Sequence, residues 1–382
     1  MRTVHCSSVR RLMFGVIVCL VLQGQVARAS FVFGEPTKVP NFNSSSAEGS
    51  PSLSADGLKL YFESPYPHGG DACYSNIWVA TRSTVKEVWS TPTKLDINFD
   101  GAKTNPCISA DELELYFCDG WSAALLSGCK QDSRGLGNGD LWVCTRATIE
   151  EPWGDPVNLG PTVNTTLLDD TPAISADGLS LYFSSERDGR YGLTDIYVTT
   201  RQSKNDPWGP PTNLGSDINK MGSYTNYPFI SPDNLSLYFS RGTLSSNIYV
   251  SRRANVTAPW GIPVRFEPVK LSGCEYRLSF TPGCPTLYFS HGNRFTGWSV
   301  TAMNATFTSY DIWQVEVTTI LDLNGDGFVD TLDVYELLDH WGTTDNSLYD
   351  IAPFPLGDSL VDENDLLVLA EHMVKIRDAN DF

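Results

Sequence analysis

Near the C-terminus, Asp322, Asn324, Asp326, Asp330 and Asp333 stand at positions 1, 3, 5, 9 and 12 of one short stretch, with Gly327 at position 6 and the Phe328 carbonyl at position 7. This spacing wraps oxygen atoms around a point. A hard cation such as Ca2+, which takes roughly six to eight oxygens, is what they would hold. A damaged copy follows. Asp358, the Leu360 carbonyl, Asp362 and Asp365 repeat the spacing of Asp326 to Asp333, but Ser359 replaces the glycine and position 1 falls to Asp350 across the insert 351–357. The segments after the loops, 334–341 and 366–373, read as helices; Val334, Leu337, Leu338 and Trp341 share one face of the first.

A second set of polar residues occupies one repeated place upstream. The triads are Glu48-Gly49-Ser50, Lys103-Thr104-Asn105, Asp169-Asp170-Thr171, Thr225-Asn226-Tyr227 and Glu275-Tyr276-Arg277. Their frame is constant while their chemistry varies, so Glu48, Asn105, Asp169, Asp170, Asn226, Tyr227, Glu275 and Arg277 are the candidate ligand-binding residues. Other loops contribute Tyr66, His68, Asp71, Trp121, Arg187, Asp188, Arg190, Tyr191, His291, Arg294 and Trp298. Carboxylates, amides and rings together suit a saccharide, whose hydroxyls form paired hydrogen bonds while its C–H faces pack on aromatics. Glycoside hydrolysis would need two carboxylates, and among the triads only Glu48, Asp169, Asp170 and Glu275 could supply them. No nucleophile elbow, phosphate loop or zinc-protease His-Glu-x-x-His motif is present. Binding of a saccharide or protein is therefore the leading expectation, and glycoside hydrolysis its rival.

The triads are carried by a repeat. Pro51 to Phe62 followed by Asn76-Ile-Trp-Val79 recurs as Pro106 to Phe117 with Asp140 to Val143, Pro172 to Phe183 with Asp195 to Val198, and Pro228 to Phe239 with Asn247 to Val250. A worn fifth copy runs from Leu278 to Phe289, then Asp311 to Val315. Trp153, Trp208 and Trp260 each open a Trp-Gly-x-Pro segment between units, and Trp89 to Leu95 is a looser version. Each unit reads as four short strands separated by Ser-x-Asp-Gly-like turns. Four antiparallel strands at a period of roughly 50 to 65 residues indicate an all-β β-propeller, because blades stacked around an axis bury both sheet faces. Phe33 to Val39 matches the segment that the fifth unit lacks downstream, so the N-terminal strand is expected to complete the last blade. That arithmetic gives five blades; six would need a unit the sequence does not show. Alternating strand directions place the triads and the loops between second and third strands at one end of the propeller, where a ligand would meet several blades. Tyr61, Tyr116, Tyr182, Tyr238 and Tyr288 recur in every unit and are expected to pack between blades.

Ser231-Pro-Asp-Asn and Asp195-Ile-Tyr-Val198 make the units resemble the TolB-type propeller repeat over about residues 31 to 320. The resemblance implies the fold; relatives use it for peptide, protein or sugar binding and for catalysis.

The 382 residues carry a formal charge of −18, which excludes a nucleic-acid backbone as partner. Residues 321 to 382 hold 15 acids against Lys375 and Arg377, so the tail alone contributes −13. Arg10 and Arg11 before the apolar run 12–22, with small residues up to Ala29, form a secretory signal with cleavage near Ala29. That run is too short to cross about 30 Å of hydrocarbon, so the expected mature chain is secreted or at the cell surface, with no membrane span. Seven cysteines remain after cleavage, and Cys274 with Cys284 and Cys118 with Cys129 are close enough in sequence to staple loops. Glycosylation sequons occur at Asn43, Asn164, Asn234, Asn255 and Asn304.

Two calcium loop-helix units about 32 residues apart at the end of an exported chain resemble a type I dockerin. What the resemblance implies is docking to a cohesin-like module, commonly in assemblies that degrade polysaccharides, with Asp322, Asn324, Asp326, Asp330 and Asp333 as first-site ligands and Asp358, Asp362 and Asp365 as second-site ligands. Positions 10 and 11 hold Thr331-Leu332 and Glu363-Asn364 where that family often carries Ser-Thr. A calcium-folded clasp on an envelope or matrix component therefore stands beside cohesin docking. The expected organisation is a signal peptide (1–29), a propeller (30–319) and a small α-helical calcium module (320–382).

Overall fold

The computed structural model describes residues 30–42, 47–65, 75–97, 101–119, 134–243, 245–266, 274–281, 284, 286–292 and 310–320, together with Tyr335, Leu338 and Asp339, which are helical. The expected signal segment and the expected calcium loops, with every candidate ligand from Asp322 to Asp365, lie outside the described residues.

Strands β1 (Ser30–Phe33) and β2 (Thr37–Lys38) open the described chain. Blade 1 is β3 (Gly49–Leu53), β4 (Lys59–Ser64), β5 (Asn76–Thr81) and β6 (Thr93–Lys94). Blade 2 is β7 (Thr104–Ile108), β8 (Glu114–Cys118), β9 (Leu141–Thr145) and β10 (Val157–Asn158). Blade 3 is β11 (Asp169–Ile174), β12 (Ser180–Ser185), β13 (Asp195–Thr200) and β14 (Thr212–Asn213). Blade 4 is β15 (Tyr224–Ile230), β16 (Ser236–Gly242), β17 (Ser246–Arg252) and β18 (Val264–Arg265), and blade 5 is β19 (Cys274–Ser279), β20 (Thr286–Gly292) and β21 (Tyr310–Ile320). Blade 5 is closed from the other end of the chain, since β1 and β2 both pair with β21, Thr37 opposite Gln314. Among the described residues, 32–318 form an all-β propeller of five blades, four of them four-stranded and the fifth completed by β1 and β2, closed as the repeat predicts.

The recurring turn explains itself chemically. In blade 1 the Ser54 hydroxyl donates to Asp56 Oδ1 at 2.6 Å, and Asp56 accepts from the Leu58 amide at 2.9 Å. The same lock closes on Asp111, Asp177 and Asp233 in the next three blades. Its last residue is left-handed, at Gly57, Glu112, Gly178 and Asn234.

Between blades the repeated frame becomes a clasp. The Arg146 guanidinium stacks 4.3 Å over Trp153, and Arg201 and Arg253 do the same over Trp208 and Trp260 at 4.4 and 4.3 Å. Each arginine also donates through Nε to the turn of its own blade, at Glu112, Gly178 and Asn234. The tryptophans then meet the tyrosine of the preceding blade edge-on, Trp208 with Tyr116 and Trp260 with Tyr182. Ring closure uses the same parts. Arg82 lies 4.1 Å over Trp89, and Trp89 Nε1 donates to the Tyr288 hydroxyl at 3.2 Å, joining blade 1 to blade 5. At the seam between blades 4 and 5 the sequence offers Val317 in the arginine's place, and Tyr238 packs instead on Phe266 and Phe280. The five motif tyrosines are thus packing residues.

Two disulfide expectations fail or lie beyond view. Cys284 is a buried free thiol that accepts from Arg82 Nη2 at 3.1 Å, so no bond joins it to Cys274; the clasp of blade 1 holds the sulfur instead. Cys129 lies outside the described residues, and the Cys118 thiol contacts the Asp169 carbonyl at 3.5 Å.

Candidate functional site

Every inner strand breaks at the same place. The register shifts between Gly49 and Ser52, Thr104 and Cys107, Asp170 and Ala173, Asn226 and Phe229, and Tyr276 and Leu278. Within each bulge one non-glycine residue is left-handed: Ser50 (φ 53°), Asn105 (54°), Thr171 (53°), Tyr227 (53°) and Arg277 (35°). Four of these precede a proline, at 51, 106, 172 and 228. Such a conformation costs about 1–3 kcal/mol per residue, the more so for β-branched Thr171, and persists only where surrounding bonds enforce it. The triads are therefore not loops before the strand. They lie in or against the inner strands, and the bulge re-aims their side chains.

The enforcing bonds run around the axis. The Ser50 amide donates to Ser290 Oγ of blade 5 at 2.8 Å, the Asn105 amide to Glu63 Oε2 of blade 1 at 2.7 Å, and the Tyr227 amide to Thr171 Oγ1 of blade 3 at 3.3 Å. Thr171 is bonded within its own blade, its amide to Asp170 Oδ1 at 2.7 Å. Side chains extend the ring. Ser50 Oγ donates to Asn105 Oδ1 at 2.7 Å and approaches Glu63 Oε1 at 3.2 Å, while Asn105 Nδ2 donates to Asp170 Oδ1 at 2.8 Å. Arg277 crosses the ring, its Nη2 donating to the Pro106 carbonyl at 2.7 Å. Blades 5 and 2 are not neighbours, so this side chain spans the axis.

The electrostatics follow from depth. Burial, with Asp170 adding repulsion, pushes the Glu63 carboxyl up to about 7 against the opposing Asn105 amide, Ser50 and Arg277. Burial raises Asp170 as well, opposed by the Thr171 amide, Cys118, Asn105 and Arg277. Glu63 nonetheless keeps part of its surface accessible. Tyr227, Tyr276 and Tyr310 form an aromatic run with centroids 5.3 and 5.5 Å apart. Burial raises all three phenols, so they remain neutral donors.

Two buried polar atoms here have no hydrogen-bond partner among the described residues, Arg277 Nη1 and Asn226 Oδ1. Arg277 is 3% exposed. An unmade bond on a buried polar group costs about 1–3 kcal/mol and more on a charged one, so a donor and an acceptor are left that a ligand could complete.

The candidate residues divide accordingly. Asn105, Asp170 and Arg277 join one network, with Tyr227 and Asn226 on the adjoining inner strand. Asp169 is drawn elsewhere, paired with Arg187 Nη2 at 2.6 Å and capped by the Thr165 amide and hydroxyl. Glu48 is buried and accepts from Ser64 Oγ at 3.1 Å, and Glu275 is buried opposite His291. Among the loop residues, Arg187 serves Asp169, Arg190 bonds the Glu186 carbonyl, Tyr191 and Asp188 are exposed, and His291 stacks edge-on against Trp313 at 5.4 Å. Tyr66, His68, Asp71, Trp121, Arg294 and Trp298 lie outside the described residues. Among the described residues no group of three or more His, Cys, Asp or Glu side chains could hold a metal ion.

Glu63 was not among the sequence candidates, yet a signal for it exists. The residue after the Tyr-Phe pair is Cys118, Ser184, Ser240 or Ser290 in four units and an acid only in the first. The Asn164 sequon has the opposite outcome. Asn164 is buried, with Nδ2 donating to the Leu141 carbonyl at 3.0 Å and to Asn158 Oδ1 at 2.8 Å. Asn219 makes the same bonds in blade 3 without any sequon, so the asparagine serves the repeat.

Fold and site together define a five-bladed propeller with a polar axial mouth. No protein-family model and no curated protein matches the chain. Among solved structures it is similar to a TolB from Agrobacterium tumefaciens (14% identity, 78% of this chain and 99% of that one, TM-score 0.42). It is also similar to an α-L-arabinofuranosidase from Lactobacillus brevis (14% identity, 70% and 90%, TM-score 0.45) and to a family-62 α-L-arabinofuranosidase catalytic domain from Coprinopsis cinerea (10% identity, 76% and 98%, TM-score 0.45).

Proposed function

We propose that the axial mouth binds a saccharide and that the calcium-loop tail anchors the exported propeller to an extracellular or cell-surface partner. The observation that carries the binding reading is the coexistence of a buried donor, Arg277 Nη1, and a buried acceptor, Asn226 Oδ1, without partners among the described residues, on the two inner strands that also carry the Tyr227 and Tyr276 rings. A sugar supplies both complements: its hydroxyls donate and accept, and its C–H face packs on rings. A glycan array probed with the full chain and with Asn226→Ala tests this. A glycan retained by the parent and lost by the variant is the expected result; retention of no glycan would remove the reading.

Glycoside hydrolysis is the second reading, favoured by Glu63 standing near neutrality next to Asp170. The Glu63 carboxyl would give its proton to the glycosidic oxygen as the C–O bond breaks. Water would add to the anomeric carbon and lose its proton to Asp170. Reducing-sugar release that Glu63→Gln and Asp170→Asn each abolish would favour this reading, and no release across a polysaccharide panel would leave binding alone.

For the tail, Asp322, Asn324, Asp326, the Phe328 carbonyl, Asp330 and Asp333 would take Ca2+, with Asp358, Leu360, Asp362 and Asp365 around a second ion, because mutual repulsion of these acids opposes ordering until a cation arrives. Hydrogen exchange over residues 321–373 should slow when calcium is added. Identical exchange with and without chelator would dismiss the anchor.

A further inference from the structure

We propose that Arg277 selects an acidic sugar, its Nη1 receiving a uronate carboxylate on the axis while Asn226 Oδ1 accepts from a sugar hydroxyl. The inference rests on the saccharide-binding reading and narrows its ligand class. The guanidinium is fixed before any ligand arrives, since Nη2 is already bonded to the Pro106 carbonyl at 2.7 Å across the ring. What remains is a rigid, desolvated cationic donor, and a carboxylate completes it with a charge-assisted bond roughly twice as strong as a neutral one.

Two acids nearby set the conditions. The groups around Glu63 are Asp170 from blade 3, Tyr227 from blade 4, and Arg277 and Tyr310 from blade 5. The phenols stay neutral, so Arg277 is the cation among these groups and cannot balance Glu63, Asp170 and a ligand carboxylate at once. One acid must hold a proton in the complex. Glu63 is the one poised near neutrality, at about 7, and an arriving anion raises it further. Protonated, it donates to the carboxylate that Arg277 also holds. Acidic sugars therefore bind with uptake of a proton. A neutral sugar donating a hydroxyl to Glu63 would favour its charged form and release one instead.

The test uses the full chain and trisaccharides of galacturonate, guluronate and glucuronate, each with its carboxyl-reduced counterpart. Titration calorimetry at about pH 6 and about pH 8, in buffers of different ionisation enthalpy, counts the proton. At least one acidic member should bind about tenfold more tightly than its reduced form at the lower pH, with proton uptake. Arg277→Gln should erase the preference. Glu63→Gln, which stays protonated-like at any pH, should keep the preference and lose its pH dependence, and it remains decisive if the arginine variant fails to fold. Equal affinity for acidic and reduced members, or binding without proton uptake, overturns the inference and leaves the saccharide reading standing. Binding of no member in either form, with the glycan array also blank, overturns both.

Discussion

The seams between blades and the mouth at their centre are built from the same repeat and obey opposite rules. At the seams four units place the same Arg–Trp pair against the preceding unit's tyrosine, and every member finds partners. At the mouth the backbone repeats, with a left-handed bulge in all five blades, while the side chains on it are Ser50, Asn105, Thr171, Tyr227 and Arg277. The contrast separates what makes a propeller from what gives this one a function. Sameness across units marks packing, and variation on a repeated, strained backbone marks a site.

The largest effect should come from a seam. Trp208→Ala removes the surface on which Arg201 stacks and the ring that meets Tyr116. Urea unfolding should show a loss of about 3–5 kcal/mol. A smaller loss at the mouth is expected for Asn105→Ala, which strips partners from Ser50 and Asp170. About 2 kcal/mol should be lost, together with ligand binding. If the seam variant abolished binding while its fold survived, or the mouth variant left binding intact, the division between the two regions would be wrong.

Acidity sharpens the comparison. Glu63 in the fold is raised from 4.5 to about 7, so between those values the folded state holds more protons than the unfolded one. Stability from this group is therefore full below the lower value and is lost as pH rises through about 7. Asp119, pushed to about 7 by burial, acts in the same direction. Glu63→Gln should raise the melting temperature near pH 8 by about 2–4 °C and flatten the decline between pH 5 and 8; an unchanged slope would count against it. The smallest effect concerns surface chemistry. In a glycosylating host, peptide mapping should find glycan on exposed Asn255 and none on buried Asn164.

Blade number, strand order and closure were legible because each depends on local chemistry repeated in register: the Ser–Asp turn lock, the Tyr-Phe strand and the Trp-Gly segment. Closure by Thr37 and Lys38 could be read because an orphan copy of the last segment stood at the other end of the propeller's chain. The site was legible only in part. Asn105, Asp170 and Arg277 were marked by variation at a fixed place, but Asp169 was marked equally, and nothing in the sequence tells that Arg187 neutralises it. Glu63 was hidden because it belongs to the second strand, and only the three-dimensional ring brings it to the Asn105 amide. Register shifts of this kind are tertiary facts. They turn a residue that alternation would assign to one face toward another.

The central claim is that ligand sits on the axis rather than at the rim. Hydrogen–deuterium exchange of the full chain with a mixed pectin, alginate and xylan hydrolysate tests it directly. Amides of Gly49–Leu53, Thr104–Ile108, Asp169–Ile174, Tyr224–Ile230 and Cys274–Ser279 should slow together, while the outer pairs Thr93–Lys94, Val157–Asn158 and Thr212–Asn213 stay unchanged. Protection confined to the outer strands, or none in a mixture from which the protein retains a sugar, would contradict the account.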